Sequence, residues 1–300
     1  MPDESSAKTA IHSTTGDTGL ILNEVATILQ EFYDGTLDTM VIERLVVGVF
    51  FVGVKLTNGC GGVAYTPPEV VKNAGRRILR ENTPLICGRH VSKVISGEIP
   101  GPFAGLIRLA TLNALSVPFL EGNRYCLNVG NDVSDIPSLF HRRRICMVGA
   151  IIPLLKRMKE MEPAEVIIID QKKETQAEAE AGYGEFVPPE HTALALARCE
   201  TAIFTGATIA NGTICQLIDL VPENAAIAVV GPTAGFVPEP LFQRRVALIG
   251  TVTVADSDRT LDILAEGGGA YRLFDGCVQK VNLLNVPRLQ LLGLDSALKE

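Results

Sequence analysis

The run Thr205-Gly206-Ala207-Thr208-Ile209-Ala210-Asn211-Gly212-Thr213-Ile214 sets hydroxyl, amide and glycine residues between an apolar strand and a helix. Thr208, Asn211 and Thr213 can place polar groups beside free helix N–H donors, which suits a phosphate, a carboxylate or another anion; the same residues serve equally well as helix caps. A second run has the same form, with Ala226-Ile227-Ala228-Val229-Val230 leading into Gly231-Pro232-Thr233-Ala234-Gly235. Strand, small-residue turn and helix in repetition describe an open parallel α/β sheet, whose ligand crevice lies beyond the C-terminal strand ends. That rule puts Gly149, Asp170, Gly206, Thr208, Asn211, Gly231, Thr233 and Gly250 on the crevice. Asn113, an amide on a largely apolar helical face, is either a core residue bonded to backbone or a group pointing into a pocket.

Other chemistries find less support. Val148-Gly149-Ala150-Ile151-Ile152-Pro153 keeps one glycine of the dinucleotide fingerprint, which speaks against NAD, although Asp170 stands about 20 residues on, where an acid would meet a ribose. Asp170 therefore leaves a nucleoside or adenosyl ligand open. There is no Cys-x-x-Cys pair and no His-x-x-x-His helix for a metal. Cys60, in Asn58-Gly59-Cys60-Gly61-Gly62, is the one thiol that flanking glycines would open to a metal or another domain; a small residue in a tight hairpin is the plainer reading. No nucleophile elbow, P-loop or catalytic triad appears.

These residues need elements to hold them. Leu20 to Tyr33 reads as an amphipathic helix closed by Gly35. Arg44 to Thr57 reads as one strand turning at Asn58-Gly59 into a second, Gly61 to Thr66. Helices are expected after Pro67-Pro68 and Leu85, and over Phe103 to Ser116. From Arg144 short apolar strands alternate with helices, at 145–149, 166–170, 202–205, 226–231 and 246–250, as a parallel sheet requires. Asp256, Ser257 and Asp258 read as the cap of a helix over Leu261 to Ala265. The stretch 172–190 is the least core-like part, a lid or merely a loop.

The 300 residues are 47% hydrophobic and 20% charged, in the range of soluble globular proteins with room for two domains. A net charge of −7 works against nucleic acid as a partner, and the basic run His141-Arg142-Arg143-Arg144 reads as a solvated linker. No apolar stretch is long enough to span a membrane, and residues 1–18 read as a disordered tail without a signal peptide's pattern. Seven irregularly spaced cysteines point to free thiols in a reducing cytoplasm.

Taken in order, the glycine-turn hairpin, Ala110-Thr111-Leu112-Asn113-Ala114, Val148-Gly149, Thr205-Gly206-Ala207-Thr208 with Asn211-Gly212-Thr213, and Val230-Gly231-Pro232-Thr233-Ala234 resemble the heavy-metal chelation family. The resemblance covers most of the chain after the tail. It implies an α/β protein with an α+β domain resembling the enolase N-terminal fold over 19–141, then a Rossmann-like parallel α/β domain over 142–300. It also implies a site between them, with Asn113 and the Cys60 hairpin facing Gly149, Thr208, Asn211, Gly231 and Thr233. The resulting expectation is a cytoplasmic protein binding a small anionic molecule, a transition or heavy metal ion, or a metal chelate in the interdomain cleft. Alternatives are a lyase or transferase using a nucleoside or adenosyl ligand, and a non-catalytic partner-binding protein; a homo-oligomer is open.

Overall fold

Alternating apolar residues build two sheets, and one buried helix joins them. The computed structural model describes residues 14–78, 84–122, 125–129, 132–171, 175–177 and 182–294. The first half runs α1 (Thr14–Tyr33), β1 (Ile42–Val47), β2 (Phe51–Leu56), β3 (Gly61–Tyr65), α2 (Pro68–Ile78), α3 (Val91–Ile95) and α4 (Ala104–Glu121). The second runs β4 (Cys126–Val129), β5 (Arg144–Val148), α5 (Ile152–Met158), β6 (Glu165–Ile169), β7 (Glu185–Phe186), β8 (Thr201–Thr205), β9 (Ala226–Val230), β10 (Leu248–Val254) and β11 (Val278–Leu284), with further short helices between strands.

The larger sheet has the order β4-β11-β10-β9-β8-β5-β6-β7. Its six strands from β10 to β7 are parallel. Taken by chain order within that set they lie 6-5-4-1-2-3, the doubly wound arrangement in which β5 and β8 flank the topological switch. β11 and β4 then extend the sheet antiparallel, an addition the repeated strand–helix pattern does not announce. Successive residues face opposite layers: Cys146, Phe204, Val229 and Ile249 enter one buried cluster, and Met147, Ile203, Ala228 and Leu248 the other.

The smaller sheet is an antiparallel meander, β1-β2-β3. The single strand expected over Arg44 to Thr57 is two strands. The chain turns at Gly48, whose amide donates to the Phe51 carbonyl at 2.9 Å, because Gly48-Val49-Phe50 supplies a tight turn inside the Val/Phe run. One face of this meander lies on α4, so closely that a Cβ on Gly62 would stand 2.1 Å from the Ala110 carbonyl oxygen. The other face packs on the helix Ser257–Ala265 through Phe51, Val63, Ile263 and Leu264.

α1 starts at Thr14, so residues 14–18, expected as tail, are helical; residues 1–13 lie outside the described residues. Its buried face is Ile21, Val25 and Leu29 at helical spacing, and it ends before Gly35 with φ 82°. α4 runs past Ser116 to Glu121, carrying Pro118 within it. Residues from α1, α4 and the meander share one apolar cluster with Cys146, Phe204, Val229 and Ile249 of the large sheet. The core is therefore continuous across residues 141 and 142. Of the stretch 172–190, residues 172–174 and 178–181 lie outside the described residues, and Glu185–Phe186 forms the edge strand β7.

Candidate functional site

The switch between β5 and β8 is where a doubly wound sheet ordinarily takes its ligand. Here two of its backbone donors are spent internally. The Ala150 amide donates to Asp170 Oδ2 at 2.9 Å, and the Ile151 amide meets Met147 Sδ at 3.4 Å. Pro153 removes another donor from the first turn of α5. Across the gap, Thr205 Cγ2 lies 2.2 Å from where a Cβ on Gly149 would stand, and Gly149 itself has φ 84°. The acid placed to meet a ribose instead holds the β5 turn.

The next loops along are equally engaged. Asn113 Nδ2 donates to the Val63 carbonyl of β3 at 2.7 Å and to the Thr233 carbonyl at 3.0 Å, so one side chain on α4 ties the two sheets together. Because both partners are carbonyls, the amide nitrogen must face them, and Asn113 Oδ1 is left buried without a hydrogen-bond partner among the described residues. Thr233 Oγ1 accepts from the Tyr65 amide at 3.0 Å, and Gly206 packs against Thr233. Thr208 Oγ1 donates to the Thr205 carbonyl at 2.7 Å. Asn211 is exposed, and its Oδ1 accepts from the Thr213 amide at 3.2 Å and the Thr213 hydroxyl at 2.8 Å, a local turn. The structure thus joins Asn113, Gly206, Gly231 and Thr233 in one seam, with Gly149 and Asp170 at the switch and Asn211 and Thr213 on the surface.

Open space appears one strand further. A pocket of about 60 Å³ lies past the end of β9, over β10 and β11, lined by Asp132, Val133, Gly231, Pro232, Gly250, Thr251, Phe274, Lys280 and Asn282 among others. Of the residues expected at strand ends, Gly231 and Gly250 line it. Its back wall, the 231–233 turn, is the one held by Asn113 and Tyr65; Thr251 Oγ1 adds a bond to the Gly231 carbonyl at 3.1 Å. Lys280 Nζ sits 2.6 Å from Asp132 Oδ2 and 5.2 Å from the centre of the Phe274 ring. Asp132 Oδ1 also accepts from the Ser134 amide at 3.2 Å. Burial pushes the Asp132 carboxyl up, but the hydrogen bonds from Lys280 and Ser134 and the charges of Lys280 and Arg157 outweigh it, so the group ends below its ordinary value.

Three of the polar members of this pocket, Asp132, Lys280 and Asn282, escape a reading based on strand C-termini. Lys280 and Asn282 come from an antiparallel strand, and Asp132 follows β4. The sequence signal is a polar Asn282 set between Val281 and Leu283-Leu284 in an apolar run, and the structure leaves it 1% exposed.

Cys60 lies elsewhere, half-buried in the β2–β3 turn. Burial and the Glu121 carboxylate push its thiol above the usual value, disfavouring the thiolate there. Burial likewise raises Cys146 to about 12 and Cys199 to about 11. Among the described residues no three His, Cys, Asp or Glu side chains converge as a metal site. Among them, too, no helix is long and apolar enough to cross a membrane.

With this geometry in place, two family models match the chain: DUF364 over residues 132–283 and DUF4213 over residues 30–116, both described as "Putative heavy-metal chelation". The first alone spans just over half of the 300 residues. The fold is similar to that of a DUF364 family protein of unknown function from Pyrococcus horikoshii, at 17% identity over 88% of this chain and 99% of that one, with a TM-score of 0.66. It is also similar to a DUF364 family protein of unknown function from Desulfitobacterium hafniense, at 18% identity over 86% of this chain and 99% of that one, with a TM-score of 0.59. No curated protein matches the chain.

Proposed function

The chain belongs to this heavy-metal chelation family, and from that premise we propose that it binds metal in the cytoplasm as a small anionic chelate, at the pocket between β9, β10 and β11. The observation that carries this reading is the Asp132–Lys280 pair at 2.6 Å inside the pocket. A bare heavy-metal ion does not fit the residues described, because a closed protein site needs about four converging ligands. A metal that arrives with its own chelator asks for less. One carboxylate can share the metal, and one ammonium can take the chelator's remaining negative charge.

Asp132 and Lys280 supply those two charges, and binding parts them to face opposite ends of the ligand. Thr251 and Asn282 add neutral polar groups to the lining, and the backbones at Gly231 and Gly250 let the ligand approach closely. The volume of about 60 Å³ admits the metal-bearing end, while the rest of the chelator stays in solvent. Asn113 and Thr233 act from behind by fixing the 231–233 wall.

Calorimetric titration with nickel(II)–citrate, nickel(II) alone and citrate alone tests the proposal. The complex is expected to bind at least about tenfold more tightly than either component, and Asp132→Asn and Lys280→Gln should each forfeit that advantage, about 1.4 kcal/mol or more. Nickel(II) alone binding as tightly as the complex would overturn the chelate reading. Wild-type affinity for the complex in Asp132→Asn would remove the pocket from it.

A further inference from the structure

The small sheet has two edges, and the described residues close only one of them along its length. Alternate residues of an antiparallel strand turn their amide and carbonyl to opposite sides, and the turns fix which: the Gly48 amide donates to the Phe51 carbonyl and the Thr66 amide to the Phe50 carbonyl, each at 2.9 Å. In register, Val46 spends its backbone groups on β2, Gly62 and Ala64 spend theirs on β2 from the other side, and Leu45, Val47, Val63 and Tyr65 point outward. On β3 the outward groups are taken, the Val63 carbonyl by Asn113 Nδ2 at 2.7 Å and the Tyr65 amide by Thr233 Oγ1 at 3.0 Å. On β1 the outer side is paired at Ile42, whose amide donates to the Arg89 carbonyl at 3.0 Å and whose carbonyl accepts from the Gly88 amide at 2.8 Å; a bulge between Ile42 and Arg44 ends that pairing. Beyond it the outward amides and carbonyls of Leu45 and Val47 have no partner among the described residues.

We propose that this open edge is a dimerisation surface, on which β1 of a second copy of the chain pairs antiparallel about a two-fold axis at Val46. The inference is independent of the chelate reading. A second copy is the partner that the edge itself matches. Two outward residues flanking one inward residue complement themselves: with Val46 facing the partner's Val46, Leu45 meets the partner's Val47 and Val47 the partner's Leu45, and each unpaired amide and carbonyl gains its bond. Side chains agree with that register. Val47 stands beside Val52 on the face that packs on α4, yet it is 42% exposed because the cover runs out at the edge; the partner's Leu45 supplies it. Arg44 falls opposite the partner's Gly48, so no like charges face each other. Free edges ordinarily avoid pairing through a charge or a proline, whereas Leu45-Val46-Val47-Gly48-Val49-Phe50 carries neither, and its turn leaves Val49 65% and Phe50 48% exposed.

Analytical ultracentrifugation of the full chain tests this. Between about 1 and about 100 μM the mass should rise from the 32.1 kDa of one chain towards twice that value, as a small interface with a micromolar Kd requires. Val47→Lys sets like charges on either side of the axis and should weaken association at least about tenfold, while its exposed position spares the fold. Val47→Pro removes the outward amide, a change that an unpaired edge tolerates, and should weaken the dimer as well. Val47→Ile should associate as the wild type does. Leu291→Lys, which charges another exposed apolar residue on the helix Val286–Leu291, should leave the dimer intact. A wild-type chain that keeps the mass of one copy throughout would overturn the proposal and leave the edge to an extended segment of a different protein. A dimer that Val47→Lys and Val47→Pro both leave at full strength would also overturn it, because the copies would then meet elsewhere.

Discussion

The ends of β5 and β8 and the ends of β9 and β10 belong to the same sheet, yet the turn at the first is engaged with its own residues while the second opens onto a pocket. At β5 the turn is filled from within: Thr205 occupies the space beside Gly149, Asp170 takes the Ala150 amide, and Pro153 removes a donor. At β9 the backbone continues into a turn held from behind by Asn113 and Tyr65, and the longer strands β10 and β11 leave room above it. A doubly wound order locates candidate crevices, while the hydrogen bonds already made at each strand end decide which one can accept a ligand. A strand-end polar group already bonded to its own backbone offers a ligand little.

The largest effect is expected at Gly149. Gly149→Ala forces a Cβ against Thr205 at 2.2 Å and puts an L-residue at φ 84°, so a loss of about 3 kcal/mol is expected in urea unfolding. Adding Thr205→Ala should recover part of that loss, since the nearest clashing atom is gone. Affinity for nickel(II)–citrate should be unchanged in both. A large affinity loss in Gly149→Ala would mean that the two regions are not separate.

A smaller effect is expected at Asp170. Asp170→Ala leaves the Ala150 amide without its acceptor and should cost about 1–2 kcal/mol. It should alter neither chelate affinity nor the response to adenosine, monitored by thermal shift. A wild-type chain stabilised by adenosine, with the effect absent in Asp170→Ala, would reopen the switch as a nucleoside site.

Much of this was legible in the residues. Val148-Gly149, Thr205-Gly206 and Val230-Gly231 mark strand ends by pattern alone, and their parallel order follows from the helices between them. The functions of the strand-end groups were not legible, because Thr233 and Asn113 find partners 120 residues apart and a local pattern cannot say that a hydroxyl or amide is already engaged. The pocket pair was hidden for a similar reason. Lys280 and Asp132 are 148 residues apart and meet only because β11 and β4 extend the sheet antiparallel. Gly48 was missed as a turn since its neighbours carry the Val/Phe composition of a strand.

At the pocket the expected stability effect is smaller and depends on pH. The Asp132 carboxyl is depressed in the folded chain, so its contribution is present above the ordinary value of 3.8 and is lost as pH falls through the lower folded value. Asp132→Asn should therefore cost about 1 kcal/mol at neutral pH, a figure discounted because Lys280 is 39% exposed. The variant and wild-type urea curves should converge in acid. A gap that persists when the carboxyl is protonated would assign the loss to the turn and not to the ion pair.

The smallest effect is expected at the outer edge of the small sheet, where Arg44 meets Asp258 and Asp262 at 2.7 and 2.9 Å and Lys55 meets Asp258 at 2.9 Å. These bridges join the meander to the helix Ser257–Ala265, as the Asn113 amide joins it to the large sheet, but Arg44, Asp258 and Asp262 are exposed, so screening and side-chain entropy cancel most of the attraction. The buried seam beneath them, Phe51 and Val63 against Ile263 and Leu264, holds the two elements together without them. Asp258→Asn should lower the melting temperature slightly in dilute buffer and not at all in molar salt, leaving chelate affinity untouched. A large, salt-insensitive loss would show that the charges, and not the apolar seam, fix the meander in place behind the pocket wall.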